Sequence, residues 1–162
     1  MPVPEYIRQL RRKIGHDLII APGVCGLVFN DRGEILLHKR ADFGTWALIG
    51  GMLDPGEAPA DAIVREVMEE TGVQCLPERV TGIYNTPVIT YPNGDLAQFV
   101  ITAFQCRAHR GEPRVNDDES LEVRYFPPDD LPDMRADLRV RIAHALVDLP
   151  RARFFFNGDW AG

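Results

Sequence analysis

The stretch from Gly51 to Val73, GMLDPGEAPADAIVREVMEETGV, constrains the fold more than any other part of the chain. At about 100° per residue, the α-helical repeat, Ala58 to Thr71 divides into two faces. Ala60, Ile63, Val64, Val67 and Met68 fall together as an apolar stripe facing a core. Glu66, Glu69 and Glu70 centre roughly 140° away on the same wheel. Their three- and four-residue spacing makes them neighbours on a helix surface. Like charges packed this closely raise one another's pKa values, and a divalent cation among them relieves the repulsion. Mg²⁺ suits the position, because it takes hard oxygen ligands and commonly shares them with substrate phosphates. Arg65, four residues before Glu69, is spaced to pair with it. Gly72 suits the residue just past a helix end, where positive φ is common. Pro55-Gly56 reads as the turn leading in.

An isolated Glu-Glu pair belongs to a solvated helix face in most chains. Here the pair sits in a longer pattern: Gly51, Glu57, Arg65, Glu66, apolar Val67, Glu69, Glu70, Gly72 and apolar Val73. This pattern resembles the signature of the Nudix hydrolases. Chance coincidence of its fixed identities is on the order of 10⁻⁸ per start position, which sets the solvated-face reading aside. The resemblance covers roughly Leu18 to Asp148 and implies an α/β Nudix fold, an α/β/α sandwich with a mixed β-sheet between helices. It further implies hydrolysis of the diphosphate bond in a nucleoside diphosphate linked to another moiety, with Mg²⁺ as cofactor and Mn²⁺ as a substitute.

Carried onto this sequence, the resemblance gives Glu66, Glu69 and Glu70 to the metal, with the Gly50 carbonyl as a further ligand. Either Glu66 or Glu69 would take a proton from the attacking water. Arg65 would orient Glu69, and Glu57 would support Arg65 and the Gly51 loop. A fourth carboxylate is expected from the run Asn116 to Glu122, where Glu119 matches best; the competing reading is a solvated acidic loop. One departure stands out. Relatives carry Leu-Pro-Gly-Gly where this chain has Leu48-Ile49-Gly50-Gly51, which removes a fixed φ and restores a backbone N–H.

Arg40 on phosphate, with Trp46 and Tyr91 stacked on a base, are the substrate-binding candidates, although lone aromatics are more often packing residues. Pro87 and Tyr91 both fall where the family's substrate class is sometimes read. ADP-ribose or other nucleotide sugars, (deoxy)nucleoside triphosphates and dinucleoside polyphosphates therefore all stay open. The alternative is a non-catalytic nucleotide-binding or regulatory module on the same fold, against which the intact carboxylates argue.

At 162 residues, 45% hydrophobic and 26% charged, the chain reads as one ordinary domain. A net charge of −6 disfavours a stable nucleic-acid surface, while bound metal would invert the local potential for a small-molecule nucleotide. Cys25, Cys75 and Cys106 have neither zinc-site nor disulfide spacing and read as buried thiols in a reducing compartment. The apolar runs are too short for a membrane span, and the start is too interrupted by charge for a secretory signal. A cytoplasmic location is expected, and the resemblance leaves room for a homodimer.

Three segments are expected: an amphipathic helix in residues 1–17, a domain in 18–148 and an aromatic tail in 149–162. Tyr6, Ile7, Leu10 and Ile14 recur at helical spacing among Arg8, Arg11, Arg12 and Lys13, which favours a helix packed on its own domain. Strands are expected over Leu18–Phe29, Glu34–Lys39, Val80–Thr90, Leu96–Arg107 and Leu121–Phe126. Turns at Asn30–Gly33 and Tyr91–Asp95 join them in pairs. A last helix is expected over Ala136–Asp148. The tail could pack on the domain or at an interface.

Overall fold

The structure is a computed structural model that describes residues 4–147, 149 and 151–162. The first three residues of the expected N-terminal segment, and Asp148 at the end of the expected last helix, lie outside the described residues.

Helix α1 (Glu5–Ile14) precedes strands β1 (Ile19–Phe29), β2 (Ile35–Arg40) and β3 (Trp46–Ala47). Helix α2 (Pro59–Thr71) follows, then β4 (Gln74–Asn85), β5 (Ile89–Thr90), β6 (Leu96–Arg110) and β7 (Ser120–Phe126). Helix α3 (Ala136–Leu146) and the hairpin β8 (Phe154–Phe156) and β9 (Asp159–Ala161) complete the chain. The main sheet runs β3-β2-β1-β6-β4, with β7 on β2 and β5 on β6. Among the described strand pairs, β1 and β6 run parallel, from Ile19 opposite Ala97 to Phe29 opposite Arg107, and the other strand ladders are antiparallel.

Strand β1 is apolar without alternation because both of its faces are covered. Cys25 and Leu27 join one buried cluster with Leu138, Ile142 and Ala145 of α3. Val24 and Val28 join a second with Ala62, Ile63 and Val67 of α2. The two helices therefore lie on opposite faces of a mixed sheet, the α/β/α sandwich expected from the sequence. No helix among the described residues is long and apolar enough to cross a membrane. All three cysteines are buried free thiols.

The structure corrects one strand reading. A single strand over Val80–Thr90 is not present: β4 begins at Gln74, and the chain leaves the ladder after Asn85. Pro87, with no N–H to donate, falls in that break. Pro77 is tolerated inside β4 because the register shifts between Pro77 and Arg79. The tail packs on its own domain. Arg153 N–H donates to Thr81 O and Arg153 O accepts from Ile83 N–H, both at 2.8 Å. Trp160 stands 5.1 Å from Tyr84 and 4.8 Å from His144, centroid to centroid.

Candidate active site

Helix α2 begins on Pro59, whose missing N–H is no loss in a first helical turn. It ends on Gly72 at φ 69°, the left-handed conformation for which glycine is suited. Its buried residues are Ala62, Ile63, Glu66, Val67, Glu70 and Thr71. This is a correction to the wheel: the inward face lies roughly 90° round from the apolar stripe. Met68 is 38% exposed, whereas Glu66 is 1% and Glu70 3% exposed. Polarity does not imply exposure at this helix, where two carboxylates are held in the interior.

The segment before α2 is laced to β1. Gly26 N–H donates to Ile49 O and Val24 N–H to Gly51 O, both at 2.9 Å. Between them, Gly50 passes so close to β1 that a Cβ would collide with the Val24 carbonyl oxygen and lie 2.9 Å from Cys25 Cα. Close backbone approach therefore demands glycine there, and the hydrogen bonds of Ile49 and Gly51 fix the loop without the proline of the common pattern.

Arg65 gathers the signature residues. Its Nε and Nη2 donate to the two oxygens of Glu57 at 2.8 and 2.9 Å, a bidentate pair. Nη1 reaches Glu66 Oε1 at 2.7 Å and Glu69 Oε2 at 3.2 Å, and Nη2 reaches Met52 O at 3.2 Å. Glu57 in turn accepts from Asp54 N–H at 3.0 Å. The Arg65 hydrogen bonds hold the Glu57 carboxyl below its ordinary pKa and keep Arg65 firmly cationic.

Glu66, Glu69 and Glu70 open on a cavity of about 530 Å³, whose far wall is Asn116, Asp117, Asp118 and Glu119. The acidic loop is docked there: Asn116 Nδ2 donates to Met68 O and Glu69 O, both at 3.1 Å, and Arg114 N–H donates to Thr71 O at 3.0 Å. Burial pushes Glu66 up to about 7, with Arg65 opposing and the charges of Glu69 and Glu57 adding. Burial also pushes Glu70 up to about 9, reinforced by Glu66 and Asp117. His38, which carried no distinguishing pattern in the sequence, lies beneath Glu70. Its Nδ1 is 2.9 Å from Ser120 Oγ and 3.2 Å from Glu70 Oε2. Burial, then the charge of Arg40, lowers His38 to about 4, so the imidazole is neutral at pH 7.

Other sequence candidates lie apart from this cavity's lining. Gly50 and Gly51, held against β1 between the Gly26–Ile49 and Gly23–Met52 bridges, are not among its lining residues. Trp46 packs edge-on against Phe126 at 4.7 Å with Arg124 over its face. Arg40 is paired with Asp42, and Tyr91 heads the β5–β6 turn, donating its N–H to Asp95 O. Asp117, Asp118 and Arg8 line the cavity without having been singled out; the acidic run was visible, but its fold over α2 was not.

A divalent cation suits this donor set. The ligands are hard carboxylate oxygens, and Oε2 of buried Glu66 has no hydrogen-bond partner among the described residues. Among those residues, no group of three or more His, Cys, Asp or Glu side chains already stands in an arrangement that could hold the ion.

Known proteins place this architecture. It superposes on the crystal structure of a MutT Nudix hydrolase from Burkholderia pseudomallei with a TM-score of 0.64, at 30% identity, covering 78% of this chain and 98% of that one. The NUDIX domain family model matches residues 20–148. A MutT-like protein of Streptomyces ambofaciens is 33% identical over 76% of this chain and 75% of its own length. The nucleoside triphosphatase NudI of Escherichia coli is 35% identical over 67% of this chain and 82% of its own. The chain belongs to the Nudix family and is a pyrophosphohydrolase. Hydrolases of this family act on small-molecule nucleotides and generally use a divalent metal.

Proposed function

We propose that the cleft hydrolyses the diphosphate bond of a nucleoside diphosphate linked to another moiety, with Mg²⁺ as the ion and Mn²⁺ as its substitute. The observation that carries this reading is the burial of Glu66 and Glu70, at 1% and 3% exposure, facing the acidic loop across one cavity. Two carboxylates so placed are costly without a counter-charge. Glu66, Glu69 and Glu70 hold the ion, joined from the far wall by Glu119 and Asp117. A bound ion there neutralises charge developing on phosphate oxygens. Arg65 restrains Glu66 and Glu69 until they are needed, and Glu57 fixes Arg65. Glu69, on the solvent side, and Glu66, inside, are the two groups able to accept the water's proton.

Arg40 and Tyr91 are the choice for the outer part of the substrate; Trp46 is already engaged in packing. The names of the relatives put nucleoside triphosphates first among the substrates to test. Homodimerisation and a cytoplasmic setting complete the reading, the latter supported by the three free thiols. A hydrolysis screen over triphosphates, nucleotide sugars and dinucleoside polyphosphates with each ion tests it. Turnover should fall on the order of 10²–10³-fold in both E69Q and E70Q with the fold intact. Full turnover in both variants would overturn the assignment.

A further inference from the structure

The first turn of α1 forms part of the cavity wall: Pro4 and Arg8 line it together with Glu66, Glu69 and Glu70. The helix is fastened there rather than adjacent by chance. Ile7 is buried. Arg11 donates to Asp17 O at 2.6 Å and to Leu96 O at 2.7 Å, and its Nε is 3.5 Å from Asp95. His16 Nδ1 meets the other Asp95 oxygen at 2.7 Å. These contacts bind α1 to the start of β6 and hold its first turn at the cavity that Glu66, Glu69 and Glu70 also line.

The two arginines of the lining differ in their commitments. Arg65 is spent on Glu57, Glu66, Glu69 and Met52 O. Among the described residues Arg8 has a single ion pair, to Glu5 at 3.2 Å, with both side chains more than half exposed. Such surface pairs hold an arginine weakly. A planar guanidinium with free donors beside a polyphosphate site is suited to bidentate phosphate binding. The carboxylates and their ion would address the bond being cleaved, so a second cation lining the same cavity is available to a phosphate beyond that bond.

We propose that α1 is a wall of the substrate site and that Arg8 binds the outer phosphate of a nucleoside triphosphate, selecting triphosphates over substrates whose diphosphate ends in a sugar. The proposal rests on the hydrolase reading of the cleft given above. Calorimetric titration with Mg²⁺ and two non-hydrolysable probes separates the two, using α,β-imido-ATP as the triphosphate and α,β-methylene-ADP as the diphosphate. R8Q should weaken α,β-imido-ATP about tenfold, in line with loss of one charge-assisted contact. It should leave α,β-methylene-ADP within about twofold and R8K should restore only part of the loss. Because Arg8 is exposed, the melting temperature should hold. Unchanged affinity for α,β-imido-ATP, or equal weakening of both probes, would overturn the role of Arg8 while leaving the cleft's reading intact. Failure of the wild-type protein to bind either probe would instead remove the hydrolase reading on which the proposal rests.

Discussion

Nδ1 of His38 lies 3.2 Å from Oε2 of Glu70; both side chains are almost wholly buried, and Glu70 lines the candidate metal cleft. Burial lowers the histidine to about 4 and raises the glutamic acid to about 9. In the metal-free protein at neutral pH the two are therefore a neutral imidazole and a neutral carboxylic acid, a pairing that avoids burying an uncompensated charge. A cation in the cleft reverses the balance by favouring the carboxylate.

The metal-free protein should lose stability as pH rises from about 6.5 to about 9. Glu66 and Glu70 have folded pKa values above those of unfolded glutamate, so the unfolded chain sheds protons that the folded chain keeps. Their contribution is fully present below the unfolded value and is lost as pH climbs through about 7 and about 9. His38 acts oppositely, since its folded pKa is depressed: its contribution is lost as pH falls from 6.5 toward 4. In the acidic window the one histidine offsets only one of the two glutamic acids, and above pH 6.5 the fall is unopposed. Melting curves in chelator should decline between pH 6.5 and 9, and saturating Mg²⁺ should raise the curve most at the alkaline end. A flat metal-free profile over that range would contradict the buried-acid account.

E70Q separates stability from activity. The amide cannot ionise, so the alkaline decline should shrink and the metal-free protein should melt at or above the wild-type temperature at pH 8.5. Turnover should fall on the order of 10²–10³-fold, the scale for loss of one electrostatic stabiliser in an active site. Parallel loss of both properties would show that Glu70 serves the fold instead.

Much of this arrangement was legible in the sequence, for reasons specific to each element. Gly72 and Arg65 could be placed because cap geometry and helical spacing are local, whereas Glu57 came with the resemblance to the family signature. The α/β/α sandwich followed from the signature and the order of elements. The orientation of α2 was not legible: a wheel treats Met68 as inward and Glu70 as outward, while the fold does the reverse. His38 gave no signal because its partners, Glu70 and Ser120, are remote in sequence and meet only through the β2–β7 pairing. Arg8 was visible as part of a basic helix, but its position over the cleft depends on Arg11 reaching Leu96, 85 residues away.

Arg65→Lys should be far from conservative. An ammonium cannot reproduce the fork on Glu57 while also reaching Glu66, Glu69 and Met52 O. Activity should drop about 10- to 100-fold, the range for lost support around metal ligands. Metal affinity should weaken with it, measurable by Mg²⁺ titration of the melting temperature. Glu57→Gln should give a smaller loss of the same kind, because the loop hydrogen bond to Asp54 N–H can persist.

Gly50→Ala tests the loop that replaces the usual proline. Its Cβ would meet backbone atoms of Val24 and Cys25, which cannot rotate aside. Overpacking of this kind costs about 1–3 kcal/mol, and about 2–4 °C of melting temperature per kcal/mol is expected at this chain length. The displaced loop also carries Glu57 out of register with Arg65, so activity should fall beyond what the stability loss explains. A variant with wild-type melting and turnover would show that β1 and the loop yield to one another.

Trp160→Ala tests how the tail is held. The indole packs against Tyr84, His144 and Phe155, at 5.1, 4.8 and 5.4 Å, on the α3 face of the sheet and away from the α2 cleft. Truncating a packed tryptophan costs up to about 3–5 kcal/mol, with partly exposed sites at the lower end, so the melting temperature should drop by several degrees. Phe155, at 62% exposure, is the control: F155S removes apolar surface already in water and should change stability far less. Turnover measured well below either melting temperature should be unchanged in both, because neither residue reaches the cavity of Glu66, Glu69 and Glu70. Loss of turnover in W160A with its fold intact would connect the tail to the site through Tyr84 and β4, and would give the hairpin a functional role in addition to its packing.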